Sequence, residues 1–135
     1  PGMNFLDGEV SEAGSGGATV KLRGGESIRC AVDASTAKAG DKVRLGVRPE
    51  HLRAGVAHNA LATTVTFVES LGSMTYAYCS NPGLEDVITC AVEGDRPLAA
   101  GQALPLSVPV EKTYLFDSQG RAFQRLVNSA QRHAA

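Results

Sequence analysis

Arg48-Pro49-Glu50-His51-Leu52 is the densest polar cluster in the chain. Pro49 ends the preceding run and fixes its own φ, so Glu50 and His51 begin a turn or a helical stub. Two uses of the cluster follow. Arg48, Glu50 and His51 present a charged surface to a partner or ligand, or Glu50 caps nearby backbone amides while Arg48 is simply solvated. A second group is Glu69-Ser70-Leu71-Gly72-Ser73, between apolar runs around Val65-Phe67 and Tyr76-Tyr78. There Gly72 supplies φ freedom at a hairpin corner and the serines satisfy loose backbone groups. Glycine-containing turns can also form anion nests, but no basic residue adjoins this one.

The remaining reactive side chains assemble no catalytic machinery. Cys30, Cys79 and Cys90 are an odd count without CxxC spacing, which fits half-buried free thiols in a reducing cytoplasm. His51, His58 and His133 show no metal spacing among themselves or with the cysteines. Asp7, Glu9, Glu12, Glu85 and Asp86 fall on expected loops or solvent faces. There is no Walker A, GxSxG or HExxH motif. Thirteen basic and fourteen acidic residues give a net charge of −1, which provides no footprint for nucleic acid. Trp is absent, with four Phe and three Tyr, so a base- or sugar-stacking platform is not expected either. No apolar run approaches the ~20 residues that span a bilayer, and the first residues lack the form of a signal peptide. The chain reads as a non-enzyme with no cofactor or metal of its own.

The elements that must position these residues come in two copies. Ile28-Arg29-Cys30-Ala31-Val32 followed by an acid returns as Ile88-Thr89-Cys90-Ala91-Val92 followed by an acid. Ala39-Gly40 returns as Ala100-Gly101, and the alternating Val43, Leu45, Val47 as Leu104, Leu106, Val108. The offset is 60 residues at the first match and 61 at the last. Glu50 recurs as Glu111, whereas Arg48 and His51 become Pro109 and Lys112. The shared Glu therefore looks like turn architecture, and the unshared Arg48 and His51 look like specific function.

Period-two alternation predicts strands at 5–11, 18–23, 26–33, 41–48, 60–70, 73–80, 85–93, 103–109 and 113–117. Gly24-Gly25 predicts a two-residue hairpin. Fifteen glycines suit short strands with tight corners, and an all-β barrel is expected because closure removes exposed edges. Residues 1–123 form one domain with related halves at about 3–57 and 58–121, joined by a short connection rather than a flexible linker. The tail at 124–135 is expected as a frayed end or a short docked helix, since Phe123, Leu126, Val127 and Ala130 have helix-like spacing.

Four motifs in order carry a resemblance. They are Pro1-Gly2-Met3-Asn4-Phe5-Leu6-Asp7-Gly8-Glu9-Val10, then Gly46-Val47-Arg48-Pro49-Glu50-His51-Leu52. Val68-Glu69-Ser70-Leu71-Gly72-Ser73-Met74-Thr75-Tyr76 follows, and Tyr114-Leu115-Phe116-Asp117-Ser118-Gln119-Gly120-Arg121 closes the series. Together they resemble the C-terminal regulatory, TOBE or OB-like, domain of ATP-binding subunits of sugar-type ABC importers of the maltose and glycerol-phosphate kind. The resemblance runs from Pro1 to about Arg121.

It implies an OB-like β-barrel of two related units that dimerises the subunit and receives signals from a regulator protein or solute. The partners it implies are an ATPase domain of the same subunit, a second subunit copy and membrane permease subunits. ATP and Mg²⁺ belong to that ATPase domain, since no P-loop, signature motif or Walker B acid is present. The implied location is the cytoplasmic face of the membrane. Arg48, Glu50 and His51, with Glu69, Gly72 and Ser73, take interface or regulatory positions rather than catalytic ones. A molybdate-type oxyanion-binding TOBE module is the alternative. It shares Asn4, Leu6, Gly8 and Val10, but favours a Ser and an Arg before the Asn, where this chain has Pro-Gly-Met. A general OB-fold binder of oligonucleotide or oligosaccharide is disfavoured by the charge and the scarce aromatics.

Overall fold

A computed structural model of the chain describes residues 2–56, 58–94 and 97–126. The alternating runs become strands because their apolar members share one face. β1 (Asn4–Gly14) buries Leu6 and Val10, β2 (Gly17–Leu22) Ala18, Val20 and Leu22, and β3 (Ser27–Cys30) Ile28 and Cys30. β4 (Lys42–Val47) buries Val43, Leu45 and Val47. A single 3-10 turn, Pro49–His51, follows, then the short β5 (Arg53–Ala54) and β6 (Ala60–Leu61). β7 (Thr64–Ser70), β8 (Met74–Ser80) and β9 (Ile88–Glu93) form the next meander. β10 (Leu106–Ser107), a second 3-10 turn at Val110–Lys112 and β11 (Tyr114–Phe116) end the strand series. The architecture is the expected all-β, OB-like one. Its pairs are distributed among three sheets, and the described residues do not close into one hydrogen-bonded barrel.

The pairing shows how the two units are built together. The first sheet runs β11–β4–β1–β2–β3, and the others run β5–β10–β6 and β7–β8–β9. Since β6 leads into β7, the second unit repeats the first as β5–β10–β6/β7–β8–β9. Each unit's last strand is exchanged: β11 of the second pairs with β4 of the first, and β5 of the first pairs with β10 of the second. Equivalent registers recur, Leu45 opposite Leu115 and Leu106 opposite Ala54. Bulges recur too, between Val10 and Glu12 in β1 and between Val65 and Phe67 in β7. The loop bonds match as well: Gly40 N–H donates to Val10 C=O (2.8 Å) and Gly101 N–H to Val65 C=O (2.7 Å). Both glycines have positive φ, 97° and 90°, which an L side chain adopts only with strain. Both units line one core, so neither half holds its own.

Three expectations are corrected. The predicted strand at 60–70 breaks at Ala62-Thr63, where the Thr63 hydroxyl donates to the Leu104 carbonyl and Asn81 Nδ2 donates to the Ala62 carbonyl (2.8 Å). The Gly24-Gly25 corner is wider than two residues, because Leu22 N–H donates to Glu26 C=O (2.8 Å) and leaves Arg23-Gly24-Gly25 as the loop. Residues 122–126 are extended rather than helical. Ala122 bridges Phe116, Arg125 bridges Val32, and Leu126 N–H donates to Ala31 C=O (2.9 Å). We call this segment the strap; the rest of the expected tail, 127–135, lies outside the described residues.

Candidate functional site

Where β4 ends, Pro49 is buried and turns the chain into the 3-10 turn closed by His51 N–H donating to Arg48 C=O (3.0 Å). No side chain caps this turn, so Glu50 is not the capping residue that one reading of the sequence expects. Glu50 instead points to solvent, and its carbonyl accepts from Arg53 Nη1 (2.8 Å). The exposed Arg48 reaches across the seam between units, with its guanidinium 5.8 Å from the Tyr114 ring centroid. Arg125 of the strap lies 4.1 Å from the same ring and donates from Nη2 to Glu111 C=O (2.9 Å). Two guanidiniums thus share one aromatic ring, a cation–π arrangement available because Tyr114 belongs to the exchanged strand β11.

His51 is half-buried against β9, and its Nδ1 is buried without a hydrogen-bond partner. Burial holds its pKa below the ordinary value of 6.5, with Lys112, Arg53 and Arg48 acting in the same direction and Glu50 opposing them. The corner is therefore a cationic rim around a neutral imidazole. Arg48, His51, Arg53 and Lys112 come from the two turns and the strand after the first, so the arrangement exists only because both units meet here.

The second group sits on the β7–β8 hairpin. Glu69 accepts from the Tyr78 hydroxyl (3.2 Å), and the Tyr78 ring lies 5.7 Å from that of the exposed Phe67. At the tip, Gly72 has φ 83°, the positive value expected of the corner. Leu71 N–H donates to Met74 C=O (2.8 Å) and Ser73 N–H to Leu71 C=O (3.1 Å), so two tip amides are engaged inside the hairpin. That weighs against an anion nest. Ser73 C=O accepts from Gly94 N–H (2.9 Å), just past the end of β9. The structure keeps the two groups on separate elements, but both border β9.

Two residues central to the seam carry a signal in the sequence that reading by motif alone passes over. Asn4 Nδ2 donates to Thr89 C=O and Thr89 N–H donates to Asn4 Oδ1, both at 2.8 Å. Asn59 repeats this on Arg29: it donates to Arg29 C=O and accepts from Arg29 N–H, again both at 2.8 Å. Each Asn thus clamps the second residue of the other unit's Ile-x-Cys-Ala-Val strand. The signal is the shared Asn-x-Leu-x-x-x-Val, at Asn4, Leu6, Val10 and at Asn59, Leu61, Val65.

The cysteines are fully buried rather than half-buried. Burial pushes the Cys30 thiol up to about 11 and raises that of Cys79, which leaves them poor nucleophiles. No group of His, Cys, Asp and Glu among the described residues could hold a metal. A cleft of about 510 Å³ lies open on the outer sheet face beside Phe5, Arg44, Phe116 and Asp117. Phe5 and Phe116 meet edge to face at 5.9 Å there, and Arg44 pairs with Asp7 at 3.0 Å.

Comparison with known proteins gives the same picture over most of the chain. A family model described as MalK OB fold domain matches residues 1–52, and one described as TOBE domain matches residues 45–116. The maltose/maltodextrin import ATP-binding protein MalK of Vibrio vulnificus is 33% identical over 129 residues, which are 95% of this chain and 35% of that protein. The sn-glycerol-3-phosphate import ATP-binding protein UgpC of Chromohalobacter salexigens is 37% identical over 124 residues, 89% of this chain and 31% of that protein. The chain thus spans about a third of the length of these relatives. Among solved structures, the cytoplasmic molybdate-binding protein ModG superposes with a TM-score of 0.73 at 20% identity, covering 83% of this chain and 94% of that one. At that identity the likeness is one of fold.

Proposed function

The chain belongs to the TOBE domain family, and from that membership we propose that it is the non-catalytic regulatory and dimerisation domain of an ATP-binding subunit that drives import of a carbohydrate-type solute. The observation that carries this reading is the match of 95% of the chain to about a third of a maltose/maltodextrin import ATP-binding protein. The geometry is of the right kind. Two intertwined units share one core, and Arg48 and His51, which the second unit replaces by Pro109 and Lys112, stand at one corner where the units meet. In this reading an ATPase domain of the same polypeptide supplies ATP and Mg²⁺ chemistry. A second copy and the membrane permease subunits are the partners, and the subunit works at the cytoplasmic membrane face. Arg48, Glu50 and His51 make regulatory contacts, and Glu69, Gly72 and Ser73 shape the neighbouring hairpin surface.

The test is made in the full polypeptide that carries this chain. Arg48→Glu or Glu50→Lys should change subunit association or regulation while nucleotide binding stays intact. Loss of nucleotide binding on either change would contradict the proposal. The oxyanion alternative has the fold likeness to ModG in its favour. Against it, both polar atoms of the Asn4 amide bond to Thr89, and Pro1-Gly2-Met3 stand directly before that Asn where the oxyanion family favours a Ser and an Arg. Molybdate titration by calorimetry separates the two readings, and clear micromolar binding would favour the alternative.

A further inference from the structure

The two units differ at one place where their symmetry predicts sameness. In the first, the strap lies between the outer strands of the sheet. Phe123 N–H donates to Leu115 C=O of β11 (2.9 Å), Asp33 N–H donates to Gln124 C=O (2.7 Å), and Leu126 N–H donates to Ala31 C=O (2.9 Å). Under this cover Val32 is fully buried. The equivalent lane in the second unit runs between β5 and β9. There β9 pairs with β8 alone, and Ala91–Glu93 have no strand partner on their other side among the described residues. Val92, the counterpart of Val32, is left half-buried. Val56, just after β5, and Val87, just before β9, are 75% and 52% exposed.

We propose that this lane takes an extended acidic segment of another protein as an added strand on β9, in the manner in which residues 31–33 take the strap. An open edge offers unpaired N–H and C=O groups, and strand addition is the interaction such edges favour. The chain's own strap shows that the equivalent lane accepts an extended segment. The charge of the occupant follows from the substitutions between units. Tyr114, on which the strap's Arg125 stacks, is replaced by Arg53 in the second unit. Arg53 itself donates to Glu50 C=O (2.8 Å), the task Arg125 performs at Glu111. An incoming arginine would find its acceptor taken and a guanidinium in place of a ring. An incoming carboxylate would meet Arg53, with Lys112 and Arg48 around the same His51 corner and, among the described residues, Glu50 and Glu93 opposing.

The probe is a synthetic peptide with the sequence of residues 119–126 carrying glutamate in place of Arg125, compared with the unaltered sequence. Binding to the 135-residue chain is followed by amide NMR and hydrogen exchange. The glutamate peptide should bind more tightly by up to about fivefold, as an exposed ion pair allows. That preference should vanish in Arg53→Gln and in about 1 M salt. Protection should appear at Glu93, the counterpart of the Asp33 N–H that donates to the strap, and Glu93→Pro, which removes that outward N–H, should abolish binding while the melting transition persists. Failure of both peptides to shift any amide at millimolar concentration would overturn the proposal, as would protection confined to another strand. Concentration-dependent self-association that protects the same amides without peptide would overturn it in favour of a second copy.

Discussion

Replacing Asn4 by alanine tests the exchange of contacts on which the scaffold depends. Asn4 is 7% exposed, and its amide serves both backbone groups of Thr89 at 2.8 Å. Truncation leaves the Thr89 N–H and C=O on β9 without the partner that Asn4 supplies. Each orphaned group costs about 1–2 kcal/mol, so Asn4→Ala should lose roughly 2–4 kcal/mol. The matching change at Asn59 should cost a similar amount: its site is half-buried, but its Nδ2 also donates to Val108 C=O (3.0 Å) and its φ of 56° strains alanine. Urea unfolding followed by circular dichroism reads both values, and one cooperative transition is expected in each variant because the units share a core. Asn4→Asp adds a sign test. The ionised carboxylate of that variant accepts from Thr89 N–H but repels its carbonyl, whereas the protonated acid serves both. Its folded pKa is thus raised above the unfolded value of about 3.9. The variant should regain stability below that pH and lose it as pH rises through the folded pKa. A loss below about 0.5 kcal/mol for Asn4→Ala would refute the clamp as described.

Other outcomes follow from the same geometry. Gly72→Ala, at φ 83°, should cost about 1 kcal/mol or slightly more, read as a lowered melting temperature; an unchanged melt would count against the turn assignment. His51 has a depressed folded pKa, so its contribution is present above the unfolded value of about 6.5 and is lost as pH falls below it. His51→Asn should therefore flatten the decline in stability between about pH 7 and pH 5.5, measured by urea titration at each pH. Leu45→Ala should cost about 2–5 kcal/mol, because Leu45 is fully buried opposite both Leu6 and Leu115 and its loss opens a cavity where the units meet.

Strands and corners were legible in the sequence wherever local pattern and tertiary need agree. Val43, Leu45 and Val47 alternate, and β4 follows that alternation. Ala62-Thr63 defeated the pattern because their polar groups are drawn to Leu104 and Asn81, partners far along the chain. Phe123 and Leu126 have the spacing of a helix face, but the open edge at 31–33 supplies backbone partners that outweigh local preference. The repeat was visible in Ile-x-Cys-Ala-Val. The exchange of β5 and β11 was not, since pairing between short strands is decided by the whole core. Arg48 was found because it differs between units. Its ring partner Tyr114 could not be, because β11 reaches it only through that exchange.

The most direct test of the account compares residues the two units share with those they do not. Sedimentation velocity of the full polypeptide carrying this chain would be measured for the unaltered protein, Arg48→Glu, His51→Glu and Glu111→Lys, with melting temperature and nucleotide binding as controls. Weakened self-association is expected for the changes at Arg48 and His51, with nucleotide binding unaltered and, for the exposed Arg48, melting unaltered as well, and none for Glu111, which stands exposed on the second unit's turn. Equal weakening in all three variants, or loss of nucleotide binding in any, would contradict it.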